Sequence, residues 1–357
     1  CTMTMIMIRR LATSAIAKSL HRQQLKKKVV ITAKAFDETR SLLTSAGLDV
    51  VMNQGVEPWS RDELVSHAHD AHCILAFMTD CCDEALLDAC PNLELVACAL
   101  KGFDNFDIDL CAERNVAVTA VPDLLTAPTA ELAILLALGL GRRIREADHC
   151  VRSGSFRGWR PILYGSGLAN ATVGIYGAGA VGQAVMERVE GFAPDCVLYV
   201  DPNLYDESFA GTNENDSMVR PVDNLDDLIQ VCDVLFVCTP LNPSTYHSIN
   251  RESLMKAKPG MHLINISRGS CVDEAAVADA LETNQLAGYA ADVFEFEDWI
   301  LKDRPDSVEG RLLSHPRTLF SPHLGSAVTS TRRNIERAAA DEIIRWTKGE
   351  RFHYRVN

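Results

Sequence analysis

From residue 28 onward, short apolar runs rich in β-branched residues alternate with longer stretches of mixed polarity. Residues 28–32 predict a strand, 38–46 a helix and 48–52 a second strand; 72–77 and 93–98 repeat the strand pattern, with a helix over 83–89 between them. A long apolar stretch over 129–147, opened by Pro128 and free of internal proline, predicts a single helix that ends among Arg142, Arg143 and Arg145. After a loop rich in Gly, Arg and aromatics (152–167), a second series starts. Its predicted strands are 172–176, 197–200, 234–238, 262–266 and 288–292, with a helix over 181–189 and a last helix over 326–346. Strands that alternate with helices over such a length predict an α/β protein of parallel sheets covered on both faces.

The length of 357 residues allows two domains, each with its own core. Two doubly wound units are expected: a dinucleotide-binding domain of the Rossmann type over 126–322, inserted in a flavodoxin-like substrate domain formed by 29–125 and 323–357. Residues 1–28 differ from the rest. They hold Arg9, Arg10, Lys18, Arg22, Lys26, Lys27 and Lys28 and no acid, which is the composition of an organelle transit segment. The expected location is therefore the cytoplasm or an organelle matrix. A formal net charge of −13 argues against nucleic acid or an anionic membrane surface as partner, and no apolar run approaches the roughly 20 residues of a membrane-spanning helix. The 12 cysteines include no CxxC and no zinc-like Cys/His spacing, so no metal is expected. Cys98, Cys232 and Cys238 lie in apolar runs, where a thiol packs as a small hydrophobe.

The motif Gly177-Ala178-Gly179-Ala180-Val181-Gly182 follows a predicted strand and opens a helix. In that context Gly177 permits the tight turn, Gly179 lets backbone approach a pyrophosphate, and Gly182 lets helix and strand pack closely. The helix start offers unpaired N–H groups and the positive end of its dipole to phosphates. Asp201 ends the next predicted strand, 24 residues after Gly177, where a carboxylate accepts from ribose hydroxyls and repels a 2′-phosphate. NAD is thus the expected cofactor.

Polar residues follow three further strands: Asn265-Ile266-Ser267-Arg268-Gly269, Asp292 to Glu297, and Ser321-Pro322-His323-Leu324-Gly325-Ser326. Ligands of open parallel sheets bind beyond those carboxyl ends. Arginine can hold an oxyanion by two donors, and histidine titrates where a proton must accompany a hydride.

Arg268 in S-R-G, Glu297 in D-V-F-x-x-E and His323 in P-H-x-G, behind the glycine motif, resemble the D-2-hydroxyacid dehydrogenases. The resemblance implies that Arg268 binds the anionic substrate, His323 handles the proton and Glu297 holds His323. Within that family the chain is similar to the phosphite (phosphonate) dehydrogenases, through Lys101-Gly102-Phe103-Asp104-Asn105, Val121-Pro122-Asp123-Leu124-Leu125-Thr126, Phe156-Arg157-Gly158-Trp159 and Tyr164-Gly165. That likeness implies oxidation of phosphite, with Lys101, Met78, Leu125, Trp159, Tyr164, Ser326 and Arg332 at the substrate and the aromatic pair reaching across a homodimer. It also implies Thr129, Pro240, Asp292 and Gly325 beside Gly177, Gly179, Ala180, Val181, Gly182 and Asp201 at the cofactor. Plain core packing is the competing role for Trp159 and Tyr164. Two other functions stay open: a glyoxylate/hydroxypyruvate or phosphoglycerate type of 2-hydroxyacid dehydrogenase, and a non-enzymatic NAD-sensing scaffold like the corepressors of this superfamily. Pro202 behind Asp201, and Asn265-Ile266-Ser267, depart from the phosphite enzymes' pattern.

Overall fold

The computed structural model describes residues 26–201 and 218–357. The predicted basic leader, apart from its last three residues, lies outside the described residues, as does Pro202. The chain divides into two compact units. The first holds the described residues up to Leu100, then Asp107–Val121 and Glu336–Asn357; the second holds Lys101–Phe106 and Pro122–Ile335.

The first unit is built on β1 (Lys28–Ile31), β2 (Asp49–Met52), β3 (Cys73–Ala76), β4 (Leu95–Cys98) and β5 (Ala117–Thr119), in the spatial order β2-β1-β3-β4-β5. Every ladder is parallel. This is the flavodoxin-like order. Both faces of β3 and β4 are covered, so these strands read as continuous apolar runs rather than alternating ones.

The second unit carries β6 (Thr172–Tyr176), β7 (Cys196–Val200), β8 (Val219–Pro221), β9 (Val234–Val237), β10 (Met261–Asn265), β11 (Leu286–Ala291) and β12 (Thr318–Phe320). They pair in parallel in the order β12-β11-β10-β9-β6-β7-β8. Chain order reverses between β6 and β9, the switch point at which doubly wound sheets bind ligands. Alternate residues of β9 feed opposite cores. Leu235 and Val237 pack with the helices Leu225–Ile229, Arg251–Lys256 and Glu274–Glu282, while Val234 and Phe236 pack with Thr126–Gly141 and Ala180–Glu190. Truncating the fully buried Phe236 would cost about 3–5 kcal/mol.

The helix predicted over 129–147 is two helices, Thr126–Gly141 and Ile144–Arg152. Arg143 between them adopts a left-handed conformation, with φ 52°. The segment 163–166 folds back over the break: a Cβ on Gly165 would collide with the Gly141 carbonyl, which accepts from Ser166 N–H. Tertiary contact thus overrides the apolar periodicity there. The second unit ends at Ile335, inside the helix Thr329–Lys348, rather than at 322. The reason is local: residues 323–325 are hydrogen-bonded to Asp292 at the end of β11. Among the described residues no disulfide forms, and no helix is long and apolar enough to cross a membrane. Cys98 and Cys232 are buried, but Cys238, just past β9, is only partly covered.

Candidate active site

The carboxyl ends of β6, β9, β10, β11 and β12 each present part of one polar group. After β6, Gly177 turns with φ 97°; a Cβ there would lie 2.8 Å from Thr239 N, so only glycine lets this turn touch the segment after β9. A Cβ on Gly182 would strike the Gly177 carbonyl, whereas Gly179 faces open space. Gly179 caps the helix Ala180–Glu190 without a side-chain hydrogen bond, and a helix start of this kind offers N–H groups to a phosphate. Asp201 follows β7 and accepts from Ala178 N–H at 2.8 Å, which sets its carboxylate beside the glycine turn. The cradle fits NAD. Pro240 follows β9, and its carbonyl accepts from Thr245 Oγ1 at 2.7 Å.

Arg268 lies three residues past β10, with a side chain 17% exposed. Its Nε and Nη2 donate to the two oxygens of Asp104 at 2.7 and 2.8 Å, and Nη1 donates to the Ser267 carbonyl at 2.8 Å. Two of the guanidinium's five N–H donors therefore remain for a ligand. Burial opposes the charge of Arg268, but the adjacent Asp104 outweighs it and holds the group above its ordinary pKa. A Cβ on Gly102 would overlap the guanidinium, so glycine at this position is what admits the side chain. Next to it, Lys101 is ion-paired to Asp123, and partial burial lowers the lysine's pKa.

His323 follows β12 in the left-handed region, φ 55°, a conformation that costs a side chain about 1–3 kcal/mol. Its N–H donates to the Asp292 carbonyl at 2.8 Å. The buried Asp292 carboxylate accepts from Ser321 Oγ, Leu324 N and Gly325 N at 2.6–2.8 Å. Asp292, expected at the cofactor, thus supports the turn that carries the histidine; burial raises its carboxyl pKa against those bonds. The His323 Nδ1 meets Glu297 Oε2 at 2.7 Å, and the other Glu297 oxygen accepts Phe294 N–H at 2.9 Å. A carboxylate accepts only, so Nδ1 carries the proton and Nε2 is left for a substrate.

Gly325 packs against Thr129: a Cβ there would lie 3.0 Å from Thr129 Oγ1. Arg332 Nη1 reaches Ser326 Oγ at 3.5 Å, and Leu125 precedes the helix that contains Thr129. Met78 belongs to the first unit, two residues past β3. Core packing for Trp159 and Tyr164 is overturned, since they are 82% and 73% exposed. Tyr164 instead lines a cavity of about 490 Å³ at the amino ends of β10, β11 and β12, with Arg143, Arg145, His262 and Arg317. Sequence reasoning missed the roles of Asp104 and Asp123. No local pattern marks an acid whose partner is 164 residues away, as Arg268 is from Asp104.

Residues 134–325 match the model of the D-isomer specific 2-hydroxyacid dehydrogenase NAD-binding domain. A provisionally named 2-hydroxyacid dehydrogenase of Staphylococcus aureus is 33% identical over 329 residues, 92% of this chain and 99% of its own length. The structure of an NADPH-dependent glyoxylate/hydroxypyruvate reductase of Sinorhizobium meliloti superposes with a TM-score of 0.74 at 27% identity, covering 93% of this chain and 98% of that one. A Chlamydomonas reinhardtii structure described as that organism's pyruvate reductase superposes with the same score and identity over 92% and 98%. The chain belongs to the D-isomer specific 2-hydroxyacid dehydrogenase family. It is an NAD-dependent oxidoreductase of that family, with two parallel α/β sheets.

Proposed function

We propose that the protein interconverts a small 2-oxo acid, of the glyoxylate or hydroxypyruvate type, and its 2-hydroxy acid. The Glu297–His323 pair, 2.7 Å apart with Nε2 left over, carries this reading. Bound NADH or NAD⁺ supplies or accepts the hydride. Arg268 holds the substrate's carboxylate with its two remaining donors. His323 gives a proton from Nε2 to the carbonyl oxygen in reduction and takes it from the hydroxyl in oxidation. Glu297 fixes the tautomer and stabilises the imidazolium formed when the histidine accepts that proton. Asp201, beside the glycine turn, favours the ribose diol of NAD over a 2′-phosphate.

The charge balance supports a monoanion. Arg268 already faces Asp104, and Lys101 faces Asp123, so these two cations bring little net charge to a dianion. A second reading, oxidation of phosphite to phosphate, is favoured by Lys101 beside Gly102 and by the aromatic segment 156–164. Hydride would leave phosphorus as water adds, with His323 taking the water's proton. Exposed Trp159 and Tyr164 further support a homodimer built on that segment, which sedimentation would test. A spectrophotometric panel separates the readings: NADH oxidation with glyoxylate and hydroxypyruvate, and NAD⁺ reduction with D-glycerate, D-lactate, 3-phosphoglycerate and phosphite. Turnover with the first pair and none with phosphite is expected; the reverse pattern establishes the second reading.

A further inference from the structure

Residues 294–300 touch the histidine of the candidate site, the turn that follows its arginine, and Asn105. Glu297 holds His323, and Ile300 N–H donates to Asn105 Oδ1 at 3.4 Å, beside Asp104. Between them, Asp298 Oδ2 accepts the backbone N–H of Ser270, two residues past Arg268, at 2.8 Å. The Asp298 side chain is buried, and no step described above uses it. At the same contact, a Cβ on Gly269 would fall on the backbone of Phe294 and Glu295, so the two turns meet backbone to backbone. A carboxylate is costly to bury without strong partners. Desolvation raises the Asp298 pKa, while the Ser270 bonds and the charge of Arg268 pull it down.

We propose that Asp298 is a positioning residue: by pinning the 268–271 turn to the turn that holds Glu297, it sets where the Arg268 guanidinium meets the substrate. The bond to Ser270 N–H does this. A loose turn would let Asp104 carry Arg268 away from the imidazole, which weakens anion binding while leaving the glycine cradle untouched.

The inference rests on Arg268 as the anion-binding group, and the test separates the two. Asp298→Leu keeps the γ-branched shape and cannot accept, whereas Asp298→Asn keeps a carbonyl oxygen for Ser270 N–H. For Asp298→Leu, KM for the preferred acid is expected to rise at least 10-fold, with NADH affinity by fluorescence titration within 2-fold of the parent. Asp298→Asn should restore KM to within about 3-fold. Hydrogen exchange of a peptide spanning 268–272 should quicken in Asp298→Leu and not in Asp298→Asn. This readout holds whatever the substrate is, so an inactive parent protein defeats the proposed function and leaves the pin testable. If Asp298→Leu does not fold, Asp298→Ala, which also cannot accept, carries the same expectations. Unchanged KM and exchange in the leucine or alanine variant overturn the proposal. So does Asn behaving like Leu, or equal losses of acid and NADH binding.

Discussion

The two ends of the seven-stranded sheet use the same residue types for opposite purposes. At the carboxyl ends, Arg268 faces Asp104 with donors to spare, and His323 leans on Glu297 with Nε2 left over. At the amino ends, Arg145 spends itself on the carbonyls of His315 and Thr318 and on Thr318 Oγ1, Arg317 on those of Leu286 and Leu281, and Arg143 pairs with Glu146. Arginine near a cavity is thus no sign of chemistry by itself. What differs is the partner. A cation bonded to backbone carbonyls splints loops together, while one held by a side-chain carboxylate on a separate loop keeps an edge for a ligand.

Perturbing either end should break the symmetry in different observables. The largest effect is expected from His323→Asn, which removes the proposed proton carrier: kcat should fall by about 10²–10⁴ with NADH affinity preserved, checked by steady-state rates and fluorescence titration. Arg268→Lys comes next, because a point charge cannot reproduce the planar fork; a loss of about 10²-fold in kcat/KM is expected, and unchanged kinetics would remove Arg268 from the site. Asp201→Ala should shift the NAD/NADP ratio of kcat/KM by about 10-fold toward NADP, measured with both cofactors side by side. At the amino ends, Arg145→Ala should leave kcat intact but lower stability by roughly 1–3 kcal/mol, seen as a drop of several degrees in Tm.

The smallest effect concerns pH. His262, at the start of β10, is pushed below its ordinary pKa of 6.5 by burial and by Arg317, against the pull of Asp233. The unfolded chain therefore binds the proton more readily than the folded one. The contribution of His262 is fully present above about pH 6.5 and declines as pH falls below it. In His262→Gln, denaturation midpoints between pH 5 and 7 should lose that part of their slope, and an unaltered slope would clear His262.

Much of the candidate site was legible in the linear sequence because its chemistry sits where strand signals end. Predicted and observed limits agree at β6, Thr172–Tyr176, and differ by a residue or two at β7 and β10. Short elements escaped, among them the helices Arg61–Ala68 and Leu225–Ile229 and the strand Val219–Pro221, because so few residues show no full period. The break at Arg143 escaped too, because its cause is a segment some twenty residues onward folding over Gly141.

Local sequence determined the glycine turn, the alternation of strands and helices, and the residue types proposed to meet a hydride with a proton, since each depends on neighbours within a few positions. Tertiary structure alone decided the order of the strands, the pairing of Arg268 with Asp104 and of Lys101 with Asp123, and the use of the Asp292 and Asp298 carboxylates to hold turns in place. A carboxylate's partner is whichever donor the fold brings within about 3 Å, and a parallel sheet gathers those donors from strand ends far apart along the chain.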